Sequence, residues 1–177
     1  DRVALRARTR DLSIIPLAGL YDGQVEVVES VIFNSGRPAV VFRPGDSSLS
    51  PLAPAKVIVA WDGSRCAARA LADATPILKL SPDVRILTIL NEKPAAVAGL
   101  GADVVRHLAT HGISAAVDEI DAAGRPIGHV LDTYLAEQQP DLLVMGAYGH
   151  SRLREFILGG ATEHMLRAPK APLFLSH

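Results

Sequence analysis

Gly146, Gly149, Gly159, Gly160 and Thr162 form a pattern G-x-x-G, nine residues, then G-G-A-T. Residues of these types at this spacing can hold an anion. Glycines let the backbone turn with positive φ and approach a ligand closely. Successive N–H groups, there and at a helix start near Gly160, can cradle a phosphate without a charged side chain. The Thr162 hydroxyl can add a donor. G-x-x-G alone also fits any tight strand-to-helix turn, so its weight comes from context.

Other residues carry weaker suggestions. Asp62 precedes Gly63-Ser64 and can contact a ligand or simply orient a turn. His107 and His111 share a helix face at i, i+4, but no third ligand accompanies them, so no metal site is expected. Ser151 follows His150 without a nucleophile-elbow context. Cys66 falls in the first turn of a helix, where it is either a plain small residue or a thiol with lowered pKa. Arg152 and Arg154 can reach phosphates or remain solvated.

The elements that must position these residues alternate. Lys56–Trp61 is a nearly continuous apolar run, as expected of a strand buried on both faces. Asp62-Gly63-Ser64 turns into a helix whose N-cap is Ser64, with Ala67, Ala70, Leu71, Ala74, Ile77 and Leu78 on one face. Strands are expected at 84–90, 114–120, 141–145 and 171–176. Helices are expected at about 95–110, at 126–138 with Pro126 as first residue, and at about 160–168. This alternation implies right-handed crossovers and an open five-stranded parallel sheet with helices on both faces, a Rossmann-like α/β fold. In such sheets ligands bind beyond the carboxyl ends of the strands, where strand order reverses. If the first and fourth strands are neighbours, Asp62 and Gly146 meet at one crevice.

The first 43 residues repeat the end of this pattern. Asp11-Leu-Ser-Ile-Ile15 resembles Asp141-Leu-Leu-Val-Met145, Val28-Glu29 matches Thr162-Glu163, and Arg37-Pro38-Ala39-Val40 matches Ala171-Pro172-Leu173-Phe174. They read as a strand–helix–strand half-domain. Pro16-Leu-Ala-Gly19 replaces the glycine loop, and Pro16 has no N–H to offer an anion, so this copy is expected to hold no phosphate. The proline- and serine-rich stretch 44–55 reads as a linker, followed by a complete domain over 56–177. A half-domain exposes a sheet edge and an apolar face, which a homodimer would cover. The first residue, Asp1, is not methionine, and the opening reads as the interior of a longer chain.

A net charge of −1 without long like-charge runs gives no support for nucleic-acid or membrane-surface binding. No apolar stretch approaches membrane-spanning length. The single cysteine excludes an intrachain disulfide and fits a reducing, cytoplasmic setting.

Several blocks together resemble the universal stress protein family: Val57–Ser64, Asp141–Gly146 and Gly149–Gly159. The resemblance spans 56–177, and 1–43 resembles the end of another such domain. It implies a fold like that of the adenine nucleotide alpha hydrolases and a stress-response regulator. That regulator would bind ATP or AMP between the first and fourth strands. The alternative is a nucleotide-free module acting through dimerisation or partner binding. Slow ATP hydrolysis ranks last, because no candidate base or metal-ligand carboxylate sits in the glycine segment itself, and Glu155 is the nearest acid. By resemblance, Asp62 matches the adenine contact. Met145 and Gly146 match positions near the ribose, with Tyr148 and Gly149 on the same loop. Gly159, Gly160, Ala161 and Thr162 match the phosphate turn. Gly160 departs from the serine or threonine of the family motif, so one hydroxyl contact is gone. Trp61, beside Asp62, either crowds an adenine or packs away from it. Tandem members and dimerisation through the last strand belong to the same expectation, so by resemblance the last strand of 1–43 is expected beside the last strand of the complete domain, as an intrachain mimic of that dimer.

Overall fold

A computed structural model of the protein describes residues 2–17, 22–45, 53–90, 99–148 and 160–177. In chain order the elements are α1 (Arg2–Ala7), β1 (Ser13–Pro16), α2 (Asp22–Ser35), β2 (Ala39–Phe42), β3 (Lys56–Ala60), α3 (Arg65–Leu78) and β4 (Asp83–Leu90). They continue with α4 (Leu100–Thr110), β5 (Ala115–Asp121), α5 (Ile127–Gln138), β6 (Leu142–Gly146), α6 (Ala161–Arg167) and β7 (Leu173–Ser176). The short helix α1 has no counterpart among the sequence expectations, because six residues are too few to reveal a period. Pro126 is the N-cap of α5 rather than its first residue; its ψ of 137° is extended, and helical geometry begins at Ile127. The helix expected from about 95 starts at Leu100, after Gly99 in the left-handed region, and residues 91–98 lie outside the described set.

Among the described residues seven strands form one sheet, in the order β1-β2-β7-β6-β3-β4-β5. From β7 to β5 all neighbours are parallel, which is the five-stranded arrangement read from the sequence. β2 then joins β7 antiparallel, and β1 joins β2 in parallel. Strands β2, β3, β6 and β7 are nearly all buried, which explains their unbroken apolar runs. The two sides of each strand feed two cores. Ile58, Leu87, Leu143 and Leu173 face α2, α5 and α6 through Val31, Leu135 and Met165. Val57, Val59, Ile86, Val144 and Phe174 face α3 and α4 through Leu71, Leu78 and Leu108.

The repeat seen in the sequence is matched in register. Ser13 pairs with Ala39 as Leu143 pairs with Leu173, and Pro16 with Phe42 as Gly146 with Ser176. The bounding hydrogen bonds also correspond. Leu17 N donates to Phe42 O at 2.8 Å, and Ala147 N donates to Ser176 O at 2.8 Å.

Polar anchors fix the sheet. Asp141 Oδ2 accepts from Ala55 N at 2.8 Å and Lys56 N at 2.9 Å, which ties the entries of β3 and β6 together. On β5, Asp118 accepts from Arg85 of β4 at 3.0 Å and from the Tyr134 hydroxyl of α5. Burial works against the Asp118 charge, but the hydrogen bonds from Tyr134 and Arg85 outweigh it and hold the carboxyl below its ordinary range. Burial and the Asp118 carboxylate push the Tyr134 hydroxyl above its ordinary range.

Candidate functional site

β3 and β6 are parallel neighbours, with Ala60 opposite Met145. The chain therefore leaves the sheet side by side at Trp61-Asp62 and at Gly146-Ala147. From there it diverges. α3 packs on one face of the sheet, and α6 on the other. This divergence lies at the carboxyl ends of the strands, the place where doubly wound sheets bind ligands. Partly buried apolar side chains stand at this end of the sheet: Ala60, Ile89, Ile120 and Ile127, with Tyr148 and Ala161 beyond them, all packed against the first core.

Asp62 is exposed at the end of β3, and its Oδ1 accepts from Ser64 N at 2.9 Å. The turn-orienting role is therefore realised for this oxygen. Ser64 in turn accepts from Ala67 N at 3.1 Å and caps α3, as its position before the apolar face predicts. Trp61 packs against the second core, on the α3 and α4 face, and its backbone N–H donates to Leu87 O at 2.8 Å. Its indole Nε1 is buried and finds no acceptor among the described residues.

Gly146 is a glycine for a reason the sequence reading did not contain. A Cβ there would lie 2.5 Å from Ala67 N and 2.5 Å from the Cys66 carbonyl carbon. The start of α3 rests directly on the end of β6, and only a missing side chain allows that approach. Positive φ falls instead on Tyr148, at 53°. Tyr148 N donates to Thr162 Oγ1 at 3.2 Å, so the Thr162 oxygen, expected as a ligand contact, links the loop after β6 to α6. Met145 is buried in the first core, and Ala161 opens α6. Gly160 is the N-cap of α6, with φ −60° and ψ 154°, and no side chain caps this helix. Nothing lies within 4 Å of where its Cβ would stand. Gly149 and Gly159 lie outside the described residues, as do His150, Ser151, Arg152, Arg154 and Glu155.

Four further residues adjoin the site, and none is marked by a motif. The Tyr148 hydroxyl donates to Glu29 Oε1 of α2 at 2.6 Å. The Phe33 ring lies 5.0 Å from that of Tyr148 and 4.8 Å from that of His177. His177 Nδ1 donates to the Ala147 carbonyl at 2.9 Å and lies 3.4 Å from Cys66 Sγ. Cys66 is buried, and burial pushes its thiol pKa up rather than down. Glu29 and Phe33 share a helix face at i, i+4, which was readable; what that face meets was not.

His107 and His111 stack edge to face at 4.9 Å, and no group of three metal-ligating side chains occurs among the described residues. No helix among them is long and apolar enough to cross a membrane.

The family model of the universal stress protein family matches residues 55–177. A curated relative, Universal stress protein Slr1230 of Synechocystis sp. (strain ATCC 27184 / PCC 6803 / Kazusa), is 30% identical over 124 residues. That match covers 67% of this chain and 41% of the relative. The crystal structure of a universal stress protein from Archaeoglobus fulgidus DSM 4304 superposes with a TM-score of 0.76 at 22% identity, over 99% of this chain and 63% of that one. A putative universal stress protein from Pseudomonas aeruginosa UCBPP-PA14 gives a TM-score of 0.57 at 14% identity, over 98% of this chain and 66% of that one. The two structures are matches of fold. The chain spans less than half the length of the Synechocystis relative and less than two thirds of the Archaeoglobus chain. With a family match across the whole β3–β7 sheet, the chain belongs to the universal stress protein family.

Proposed function

We propose that the crevice between Asp62 and Gly146 binds an adenine nucleotide, ATP or AMP, and that occupancy is the signal the protein transmits. The observation that carries this reading is the divergence of α3 and α6 to opposite faces beyond the adjacent parallel strands β3 and β6, at the switch point where such sheets bind ligands. Partly buried Ala60, Ile89 and Ile127 offer an apolar surface for a base. The Asp62 carboxylate stands at the mouth with Oδ1 engaged by the turn, leaving Oδ2 to read the base edge. Phosphates would lie against the backbone of the Gly146–Gly149 and Gly159–Thr162 segments. The orientation of Trp61 into the second core keeps its bulk from this face.

A nucleotide-free module is the second reading, favoured by two observations. Gly160 supplies no hydroxyl, and the Tyr148 N–H is already satisfied by Thr162. In either case the edge of β7 is covered in-chain by β2. On this proposal residues 1–43 are the closing half of a second family-type domain and serve as an intrachain pseudo-dimer partner. A dimer through β7 itself is then not required.

Thermal unfolding with and without ATP tests the reading. Ligand at a hundredfold excess over Kd stabilises by about 2.7 kcal/mol, a shift of several degrees for a chain of this length. Adenine nucleotide released from the purified protein on denaturation would support the same conclusion. A flat response at millimolar ATP selects the nucleotide-free module.

A further inference from the structure

We propose that Glu29 is a positioning residue for the candidate nucleotide loop, so that occupancy of the crevice depends on helix α2 of the N-terminal segment. The proposal rests on the nucleotide reading above. Tyr148 has a φ of 53°, a conformation that a non-glycine residue keeps only where its surroundings hold it. Thr162 holds its N–H at 3.2 Å. The side chain is held from a different part of the chain. Its hydroxyl donates to Glu29 Oε1 at 2.6 Å, across 119 residues of sequence. A phenol donating to a carboxylate at this length is a charge-assisted bond, stronger than a neutral one. Phe33, one turn further along α2, places its ring 5.0 Å from the same tyrosine.

The grip extends to the neighbouring residue. Phe33 also meets His177 edge-on at 4.8 Å, and His177 holds the Ala147 carbonyl at 2.9 Å. Ala147 and Tyr148, the two residues after Gly146, are thus both referred to one face of α2. That face is set independently of the loop. Val28, Val31 and Ile32 of α2 are buried, and the strand that follows, β2, is hydrogen-bonded to β7. A shift of the N-terminal segment against β7 would withdraw Glu29 and Phe33 and free Tyr148 to leave the positive-φ conformation. The Tyr148 N–H and Thr162 Oγ1, both at the proposed ribose and phosphate edge, would lose their relative placement. The cleft of the β3–β7 sheet is thereby made sensitive to whatever moves the N-terminal segment.

The test uses the full chain, three single variants, Glu29→Ala, Glu29→Gln and Tyr148→Phe, and the double variant Glu29→Ala/Tyr148→Phe, with two readouts. One is ATP affinity by titration calorimetry, and the other is hydrogen exchange at the Tyr148 amide. Losing a hydrogen bond to a charged group changes an equilibrium by about tenfold or more, so Glu29→Ala and Tyr148→Phe should each weaken ATP binding by about that factor. The double variant should be no worse than either alone, because both remove the same bond. Glu29→Gln keeps an acceptor oxygen and should stay within about threefold of the parent. Amide exchange at Tyr148 should quicken in Glu29→Ala and Tyr148→Phe but not in Glu29→Gln. Unchanged affinity in both single variants overturns the proposal, whether or not exchange changes. Additive losses in the double variant also overturn it. A parent chain that binds no ATP sinks the nucleotide reading instead. The brace is then judged on exchange alone: acceleration supports it as a device for positioning the loop, and unaltered exchange removes it.

Discussion

Val40 lies opposite Phe174 at the centre of the antiparallel β2–β7 pair, and the two residues are equivalent positions of the internal repeat. Ala39 faces Leu175 and Val41 faces Leu173, so the pairing is the same read from either side. A local two-fold axis therefore passes through the Val40–Phe174 pair, as in an isologous dimer contact, but inside one chain. Val40 is fully buried and Phe174 is 1% exposed. The seam removes what would otherwise be an open apolar edge on each half.

A charge at this seam should be costly. Val40→Lys places an unpaired ammonium among Phe174, Leu142 and Val144 of the second core. We expect a loss of about 3 kcal/mol or more, read as a lower urea midpoint by circular dichroism. Ile14→Lys, on the same segment but 52% exposed, should change stability by no more than about 0.5 kcal/mol.

Gly146→Ala should destabilise the protein by about 1–3 kcal/mol or more, because the added methyl meets backbone atoms of α3 that have no rotamer to yield. Thermal unfolding without ligand reads this directly. Gly160→Ala, with open space around its Cβ, is the matched control.

Gly160→Ser should strengthen ATP binding by about ten- to a hundredfold if a hydroxyl at this position reaches a phosphate. The backbone there already has the extended geometry of a serine N-cap, so the change should also stabilise the apo chain by a few tenths of a kcal/mol. Titration calorimetry separates the two effects. A serine that stabilises α6 without altering affinity would place the phosphates elsewhere.

Stability should depend on pH at both extremes through one contact. The folded Asp118 carboxyl titrates below its unfolded value of about 3.9, so its contribution is complete above that value and is lost as pH falls through the folded one. The folded Tyr134 hydroxyl titrates above its unfolded value of about 10, so its contribution is complete below pH 10 and is lost as pH rises through the folded one. Tyr134→Phe should lower stability at neutral pH by about 1.5–3 kcal/mol and flatten both limbs. Urea midpoints measured from pH 3 to pH 11 check this.

Much of the fold is legible in the residues. Buried strands such as Val57–Val59 and Leu142–Met145 are apolar on both faces because helices cover both, and that pattern needs no tertiary information. Ser64 caps α3 as its spacing requires. The repeat is legible as well, since equivalent packing demands equivalent apolar positions. Boundaries at Pro126 and Leu100 moved by one to several residues, because end geometry depends on what each terminus meets.

The site was legible only as a place. Local sequence determined that strands β3 and β6 end in Asp62 and in a glycine loop, because hydrophobic period and turn chemistry are local properties. Which atoms that loop would touch was decided by tertiary structure. Gly146 is needed by α3, Tyr148 rather than a described glycine carries the positive φ, and Thr162 binds the loop backbone. The reach of Glu29 and Phe33 to Tyr148 follows from the β2–β7 seam, whose two-fold sets α2 against the carboxyl end of β6. A contact between residues 119 positions apart has no local signature, so only the assembled sheet could bring them together.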